Sequence, residues 1–402
     1  MEEGERVSWA CGPSDVAGSF PAAHHLNAGG AAFASCGMQG YPGYSPRSAE
    51  ASERERISVG AYGDLELRLT DATTASGALR FEHYSDAGAS LTGKVAGRME
   101  LGAGTALRAA VSTGFRAPRL AQRGFNTVGF VGGGGGLETT GFLPEGDEIA
   151  CDDFDSCSLS HETSLSLTGG AVYSHRSGLQ LTADAYVVSV ADAIGLTRTL
   201  GPDEGLRSGA RFQGRPVDKV AFWTNAVDTR TLGFDIVANW RLRGMRWGAA
   251  DLSASYHRNR TEITGNRNRD FMGLAQQTLI EKANPAQTFG ASVDVRFAAG
   301  VGVRVSLKHI GEVMTPAIFE DHDSGHPIVT IGGAAIADAE SDFRISDRIR
   351  LSLGAANLLD KLPSRFPDEH AAQLQWSMNY PAESPYGIAG RIWYVRMDVA
   401  GS

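Results

Sequence analysis

The chain has 402 residues, of which 46 are acidic and 37 basic, for a formal net charge of −9. An acidic balance without a basic stripe argues against a nucleic-acid partner, because phosphates recruit arginine and lysine. No window holds eighteen uninterrupted apolar residues, which excludes a membrane-spanning helix but leaves strands of alternating hydropathy compatible with a membrane.

The first segment, residues 1–55, shows no regular alternation and predicts irregular, loop-like structure. Its opening residues are acidic and lack an apolar core, so the sequence as given does not begin like a secretory signal. We therefore expect an irregular N-terminal segment over residues 1–55, a remnant of an extracellular loop, followed by one β-domain over residues 56–402.

Regular alternation begins at "RISVGAYGDLELRLT", where Val59, Leu65 and Leu67 fall on one side and Arg56 and Asp64 on the other. A period of two over such a length is typical of a strand with one apolar and one polar face. About thirteen such segments follow in succession, and helical spacing is nearly absent. The fold is predicted to be all-β.

The connections between these segments indicate the architecture. Tight links such as "DATT", "RSG" and "SDR" alternate with long ones, at residues 85–90, 116–161, 192–222, 263–284, 312–326 and 358–386. This is typical of an antiparallel transmembrane β-barrel with short turns at one end and long extracellular loops at the other, whereas a sandwich has little reason to segregate its loops. Strand-end aromatics then suit an interfacial girdle, with a role as ordinary core aromatics as the alternative: Tyr84, Phe115, Tyr186, Trp240 and Trp393.

The stretch "VSTGFRAPRLAQRGFN" ends a strand and opens into a glycine-rich insert. Proline cannot donate to a strand ladder, so the strand is expected to stop there. The motif at this point comprises Gly114, Phe115, Arg116, Ala117 and Pro118. It resembles the strand end that opens a large extracellular loop in TonB-dependent outer-membrane receptors. The blocks "LGAANLLDKLPSRF" and "SPYGIAGRIWYVRMDV" resemble late strands of the same family, in the same order, over residues 40–400.

The resemblance implies a barrel of about 22 strands, of which this chain would supply about thirteen from the C-terminal part. It also implies TonB-energised import of a scarce nutrient, such as a ferric siderophore, across the outer membrane of a Gram-negative bacterium. No plug, TonB box or signal is recognisable in the sequence, so the chain is expected to be a plug-less portion. The implied partners are outer-membrane lipid, a small-molecule substrate such as an iron complex, and TonB through the missing plug. No nucleic acid, cofactor or catalytic step is implied.

Candidate substrate contacts lie in two predicted extracellular loops. In the loop over residues 116–161 they are the aromatic residues Phe125, Phe130 and Phe142. In "DHDSGHP", His322 and His326 have side chains that can touch a metal complex, although such residues in loops are usually just solvated. Arg116 is expected to make a structural contact inside the barrel wall. No resident metal site is expected.

Cys151 and Cys157, in "CDDFDSC", can close a short disulfide in an oxidising compartment. Two free thiols are an alternative, as is a metal site, which would want a second close pair of ligands. No G-x-S-x-G or H-E-x-x-H motif occurs, so no enzyme is predicted.

Two other classes of protein remain open from the sequence. A passive porin-like or adhesin-like barrel in the same membrane would share the strand pattern and would lack a plug-encoding region upstream. A soluble secreted β-protein or hydrolase would stay monomeric without detergent.

Overall fold

A computed structural model describes residues 3–7, 44–45, 54–133, 136–266, 271–316, 328–365, 380–381 and 384–399. Within these residues, thirteen long strands form one antiparallel sheet, the wall. The wall strands are β3 (Arg54–Thr70), β4 (Thr73–Tyr84), β5 (Gly88–Gly102), β6 (Thr105–Arg116), β9 (Glu162–Ser174), β10 (Leu179–Leu196), β13 (Lys219–Met245), β14 (Gly248–Asn266), β15 (Gln287–Phe297), β16 (Val301–Ile310), β19 (Ala334–Arg344), β20 (Ile349–Ala356) and β21 (Ile392–Val399).

Each wall strand pairs with the next in chain order, from β3 to β21. Short turns of two to four residues alternate with long connections, except between β4 and β5, where the predicted long loop at residues 85–90 is a three-residue turn. All the long loops therefore leave from one end of the wall. This confirms the predicted partial antiparallel barrel. Among the described residues, none of the helices has both the length and the apolarity to cross a membrane.

The remaining elements are short, and most lie in the long connections. They are β1 (Glu3–Val7), β2 (Tyr44–Ser45), α1 (Leu120–Gly124), β7 (Thr127–Gly133), β8 (Gly136–Leu143), α2 (Glu148–Phe154), a 3-10 helix (Pro202–Glu204), β11 (Arg211–Phe212), β12 (Arg215–Pro216), α3 (Leu274–Glu281), β17 (Val313–Pro316) and β18 (Ile328–Ile331). In the first 55 residues, β1 pairs with the start of β3, and β2 pairs with β7 near the long-loop end.

One face of the wall is apolar and open to the surroundings: Leu65 is 59% exposed, Val95 63% and Trp393 69%. Large apolar side chains are normally withdrawn from water, and a continuous exposed set on one face of a sheet is typical of the outer surface of a membrane barrel. The alternation of apolar and polar residues in the sequence reflects these two faces.

The other face carries ion pairs that reach across an intervening strand. Arg108 on β6 donates to Asp184 on β10 at 2.6 and 2.9 Å, and Arg396 on β21 donates to Glu340 on β19 at 3.2 Å. Side chains two strands apart converge on the concave side of a curved sheet, so the polar face lines the inside of the barrel.

The girdle prediction is wrong for Tyr84 and Tyr186. Tyr84 shares the polar face of β4 with Glu82, and the Arg56 guanidinium lies 5.2 Å from the centroid of its ring. Tyr186 lies opposite Gly233 in the β10–β13 ladder and shares its face with Asp184 and Asp235, on the inside of the wall. Its ring covers the glycine so closely that an added Cβ would lie 2.4 Å from the phenol group. Trp240 and Trp393, by contrast, are exposed with the apolar residues.

The sheet is open within the described residues. The ladder ends at β21 on one side, and on the other β1 covers only Arg54–Ser58 of β3. Unpaired backbone groups are not tolerated in hydrocarbon, so the remaining length of these two edges needs further strands in a membrane.

Candidate ligand-binding loops

The long loops carry most of the apolar core of the described chain. We call residues 117–161 and 197–222 the loop cap. Twelve buried apolar residues of the cap form one cluster, and Phe271 packs against it. They are Val128, Leu143, Ile149, Ala150, Phe154, Leu200, Leu206, Ala210, Phe212, Val217, Val220 and Phe222. Two connections that are far apart in sequence are thereby held together by their own hydrophobic core.

The backbone also joins the two halves of the cap. Strands β7 and β8 form a hairpin, and β8 pairs in parallel with the first residues of β13, from Lys219 opposite Thr140 to Phe222 opposite Leu143. Residues of the glycine-rich insert therefore contribute backbone to a sheet.

Asp147 caps the N-terminus of helix α2, and its carboxylate accepts a hydrogen bond from the Ile149 backbone nitrogen at 2.9 Å. Burial raises the pKa of Asp147, and the backbone hydrogen bonds from the helix only partly oppose this. Cys151 on α2 is joined to Cys157 by a disulfide with an S–S distance of 2.03 Å. The bond ties the middle of α2 to the segment that returns to β9.

The motif at the end of β6 forms the base of the cap. Arg116 lies opposite Glu162 on β9, and its Nε and Nη2 both donate to that carboxylate at 2.5 Å. The Glu162 carboxylate also accepts from the backbone nitrogen of Ile194 at 2.7 Å. The ring of Phe115 makes edge contacts with Tyr84 at 5.8 Å between centroids. These contacts fix the point at which the strand becomes a loop.

Beside the motif lies a buried group of charges, which we call the rim cluster: Arg56, Asp86, Arg123 and Glu145. Arg56 donates to Asp86 at 2.7 and 2.8 Å and to the backbone oxygen of Pro118 at 2.5 Å. Arg123 donates to Asp86 at 3.1 Å and makes a two-pronged contact with Glu145. The cluster connects the first wall strand, the β4–β5 turn, α1 and the segment between β8 and α2.

Within the rim cluster, electrostatics favour the ionised form of Asp86. Burial raises the pKa of Asp86, but its hydrogen bonds to Arg56 and the charges of Arg56 and Arg123 outweigh burial, so the net pKa lies below its ordinary value. Sequence reasoning assigned Arg56 to the polar face but did not connect it with Asp86, Arg123 or Glu145. Those partners are 30 or more residues away, and no local spacing signals them.

The predicted contact residues occupy different environments. Phe142 is 4% exposed and packs on Ala221, with Phe125 against it at 5.4 Å between ring centroids. Its ring therefore contributes to loop packing, while Phe125 is only half-buried. The backbone of Phe130 lies in β7, opposite Thr139. His322 and His326 fall outside the described residues.

The described loops hold their charges mainly in pairs. Lys219 lies 2.9 Å from Glu138, and Arg207 lies 3.0 Å from Asp153. In the part of the chain that the structure describes, no group of three His, Cys, Asp or Glu side chains is arranged to hold a metal ion. The cap can present an aromatic and polar surface to a ligand from outside.

Comparison with known proteins identifies the architecture. Residues 13–358 match the family described as TonB dependent receptor-like, beta-barrel. No curated protein matches the sequence.

Solved structures with the same fold include three receptors of low sequence identity. A mutant of the ferric enterobactin receptor PfeA from Pseudomonas aeruginosa superposes with a TM-score of 0.60 at 16% identity, covering 88% of this chain and 46% of that chain. The siderophore receptor PirA from Acinetobacter baumannii superposes with a TM-score of 0.60 at 16% identity, covering 87% of this chain and 46% of that chain. The FrpB iron transporter from Neisseria meningitidis superposes with a TM-score of 0.58 at 13% identity, covering 87% of this chain and 46% of that chain. The chain thus spans slightly less than half the length of these structures.

Proposed function

The chain belongs to the TonB-dependent receptor-like β-barrel family, and from that premise we propose that it forms the C-terminal part of an outer-membrane receptor for a scarce nutrient. In this proposal the substrate is an iron complex such as a ferric siderophore, and import uses energy delivered by TonB. The TonB contact is assigned to a plug domain outside the described residues. The location proposed is the outer membrane of a Gram-negative bacterium.

The observation that carries the proposal is the loop cap with its own core and its anchored base. A passive pore needs only a wall and connecting loops. Here residues 117–161 and 197–222 bury a cluster of apolar side chains, and the rim cluster ties that assembly to the wall. A preorganised surface over the mouth of a barrel suits selective capture of a ligand, because little ordering entropy is lost on binding. The solved structures of the same fold are named for enterobactin, siderophore and iron transport.

Ligand binding is assigned to Phe125 and Phe130 in the cap, with His322 and His326 of another long loop as further proposed contacts. The test is titration of the purified protein in detergent with ferric enterobactin, ferrichrome and other ferric siderophores, followed by quenching of intrinsic fluorescence. Saturable binding of at least one complex is expected. Phe125→Ala is expected to weaken it, whereas Ile345→Ala, in a turn at the opposite end of the wall, is the matched control.

Energised uptake is tested in cells of the native bacterium with a radioactive iron complex. Uptake should require the gene and stop when TonB is deleted or the inner membrane is uncoupled. Uptake that continues without TonB, together with steady conductance in planar bilayers, would establish the passive pore instead.

A further inference from the structure

The short-turn end of the wall is rich in arginine. Six exposed arginines lie in the turns that follow β9, β13 and β19, or near the strand ends beside those turns. We call them the short-turn arginine group: Arg176, Arg241, Arg243, Arg246, Arg344 and Arg348. Residues 175–178, 241–251 and 344–348 hold these six arginines and two aspartates, a net charge of +4 in a chain whose formal net charge is −9. Positive charge is therefore concentrated at this end of the wall.

Most members of the group lack an acidic partner. Arg243 donates to both carboxylate oxygens of Asp251, at 2.7 and 2.9 Å, and so occupies the aspartate that lies directly opposite Arg241. Arg344 lies directly opposite a second arginine, Arg350, and like charges in opposed positions destabilise a sheet. Among the described residues, the five members other than Arg243 contact no carboxylate. Their guanidinium groups are available to an anion from outside the chain.

The arginines on the strands face the lumen rather than lipid. Trp240 and Phe343 are exposed on the apolar side of the wall. Arg241 and Arg344 are the next residues along the chain, so the alternation of a strand places them on the polar, inner face. A lipid headgroup lies outside the barrel, whereas these two side chains suit a partner that approaches the mouth of the lumen through water.

The spacing of the group fits a short extended peptide. Four strand steps separate β13, which carries Arg241, from β19, which carries Arg344. At about 4.8 Å for each step, the two arginines are about 19 Å apart across the wall, which is the length of about six residues of extended chain. Arg176, Arg246 and Arg348 continue the positive surface on the turns. A flexible chain can reach both the turns and the lumen-facing arginines, whereas a stiff cell-wall polymer reaches only the turns.

We propose that the short-turn arginine group binds an acidic segment of a periplasmic protein, about six residues long and extended. The inference rests on the proposed outer-membrane location, which places the short turns in the periplasm. Guanidinium groups suit carboxylates through paired hydrogen bonds, and complementary charge sets the orientation of a partner. The two ends of the wall then have different partners, a nutrient at the loop cap and an acidic polypeptide at the short turns.

The test uses a fluorescein-labelled peptide with six consecutive glutamates and the purified protein in neutral detergent, and fluorescence anisotropy measures binding. Saturable binding that weakens as ionic strength rises is expected, because exposed charges are screened by salt. Arg241→Gln combined with Arg344→Gln should lower the affinity about tenfold, at about threefold for each exposed ion pair. Arg241→Lys combined with Arg344→Lys keeps both charges and should retain most of the affinity.

Arg211→Gln combined with Arg215→Gln, in the cap at the opposite end, is the matched control. It removes the same charge and should leave the affinity for the peptide unchanged. An equal loss in this control overturns the inference, as does unchanged binding in the glutamine variant of Arg241 and Arg344. Peptidoglycan sacculi or cardiolipin nanodiscs that compete more strongly than the peptide would also overturn it, by assigning the group to the cell wall or to lipid.

Titration of the same preparation with ferric siderophores separates this inference from the proposed function. A protein that binds a siderophore but not the glutamate peptide contradicts only the inference. A protein that binds the peptide but no siderophore contradicts only the proposed function.

Discussion

Arg116 and Glu162 lie directly opposite each other on β6 and β9, joined by two hydrogen bonds of 2.5 Å. The carboxylate is largely buried, at 10% side-chain exposure, whereas the arginine is 47% exposed. The pair sits where the wall strand becomes the cap loop, so it links the stability of the barrel to the position of the loop.

Glu162→Gln should lower the free energy of unfolding by about 1–2 kcal/mol, because it removes the charge from two hydrogen bonds of which one partner is half solvated. Urea unfolding in detergent measures this loss. Glu100→Gln, which disrupts the more exposed Arg98–Glu100 pair, is the control and should cost less than about 0.5 kcal/mol. Equal effects from the two variants would remove the special role of Glu162.

The rim cluster should make the protein sensitive to acid through Asp86. Its pKa in the folded state is depressed, so its contribution to stability is present above the ordinary carboxyl pKa of about 4 and is lost as the pH falls through the lower folded value. In Asp86→Asn, the free energy of unfolding should therefore depend less on pH in that window. The measurement is the unfolding midpoint across acidic pH. Asp347→Asn, in an exposed turn, is the control, and its unfolding midpoint should depend on pH as it does in the parent protein. If the midpoint of Asp86→Asn depends on pH as steeply as that of the parent protein, the assignment is refuted.

The Tyr186–Gly233 pair predicts a strong effect from a single added methyl group. An alanine Cβ at position 233 would lie 2.4 Å from the Tyr186 ring, so the ring must move, at a cost of about 1–3 kcal/mol. Gly169→Ala is the matched control, because an added Cβ there meets no atom within 4 Å. Thermal unfolding of both variants checks the contrast. With Tyr186→Ala as background, the cost of Gly233→Ala should disappear, as expected for two residues in contact.

Phe222→Ala tests whether the loop cap folds on its own core. Phe222 is 2% exposed and contacts Phe154 and Phe271 at 5.5 and 6.0 Å between ring centroids. Its truncation should destabilise the cap locally by about 3–5 kcal/mol, so trypsin should cut at Arg207 or Arg211 faster. Barrel insertion and the global unfolding midpoint should change little. A loss of the whole barrel would show that cap and wall form one cooperative unit.

The wall could be predicted from the sequence, whereas the cap could not. Alternation around Val59, Leu65 and Leu67 reports directly on which side a residue faces, because a strand has a fixed period of two. Packing inside the cap depends instead on contacts between distant segments, such as Phe154 with Phe222. The same limit applies to Arg56 and Asp86, and to Phe142, which a linear sequence presents as a free aromatic in a loop.

The parallel pairing of β8 with the start of β13 gives the cap a mechanical property. Force applied to the 117–161 segment along this pair loads several ladder hydrogen bonds at once in shear, rather than opening them one at a time. β13 continues without a break from this pair into the wall, across to the opposite end of the barrel. Force on the loop is therefore transmitted into a wall strand, and the two halves of the cap are expected to move together as one rigid body.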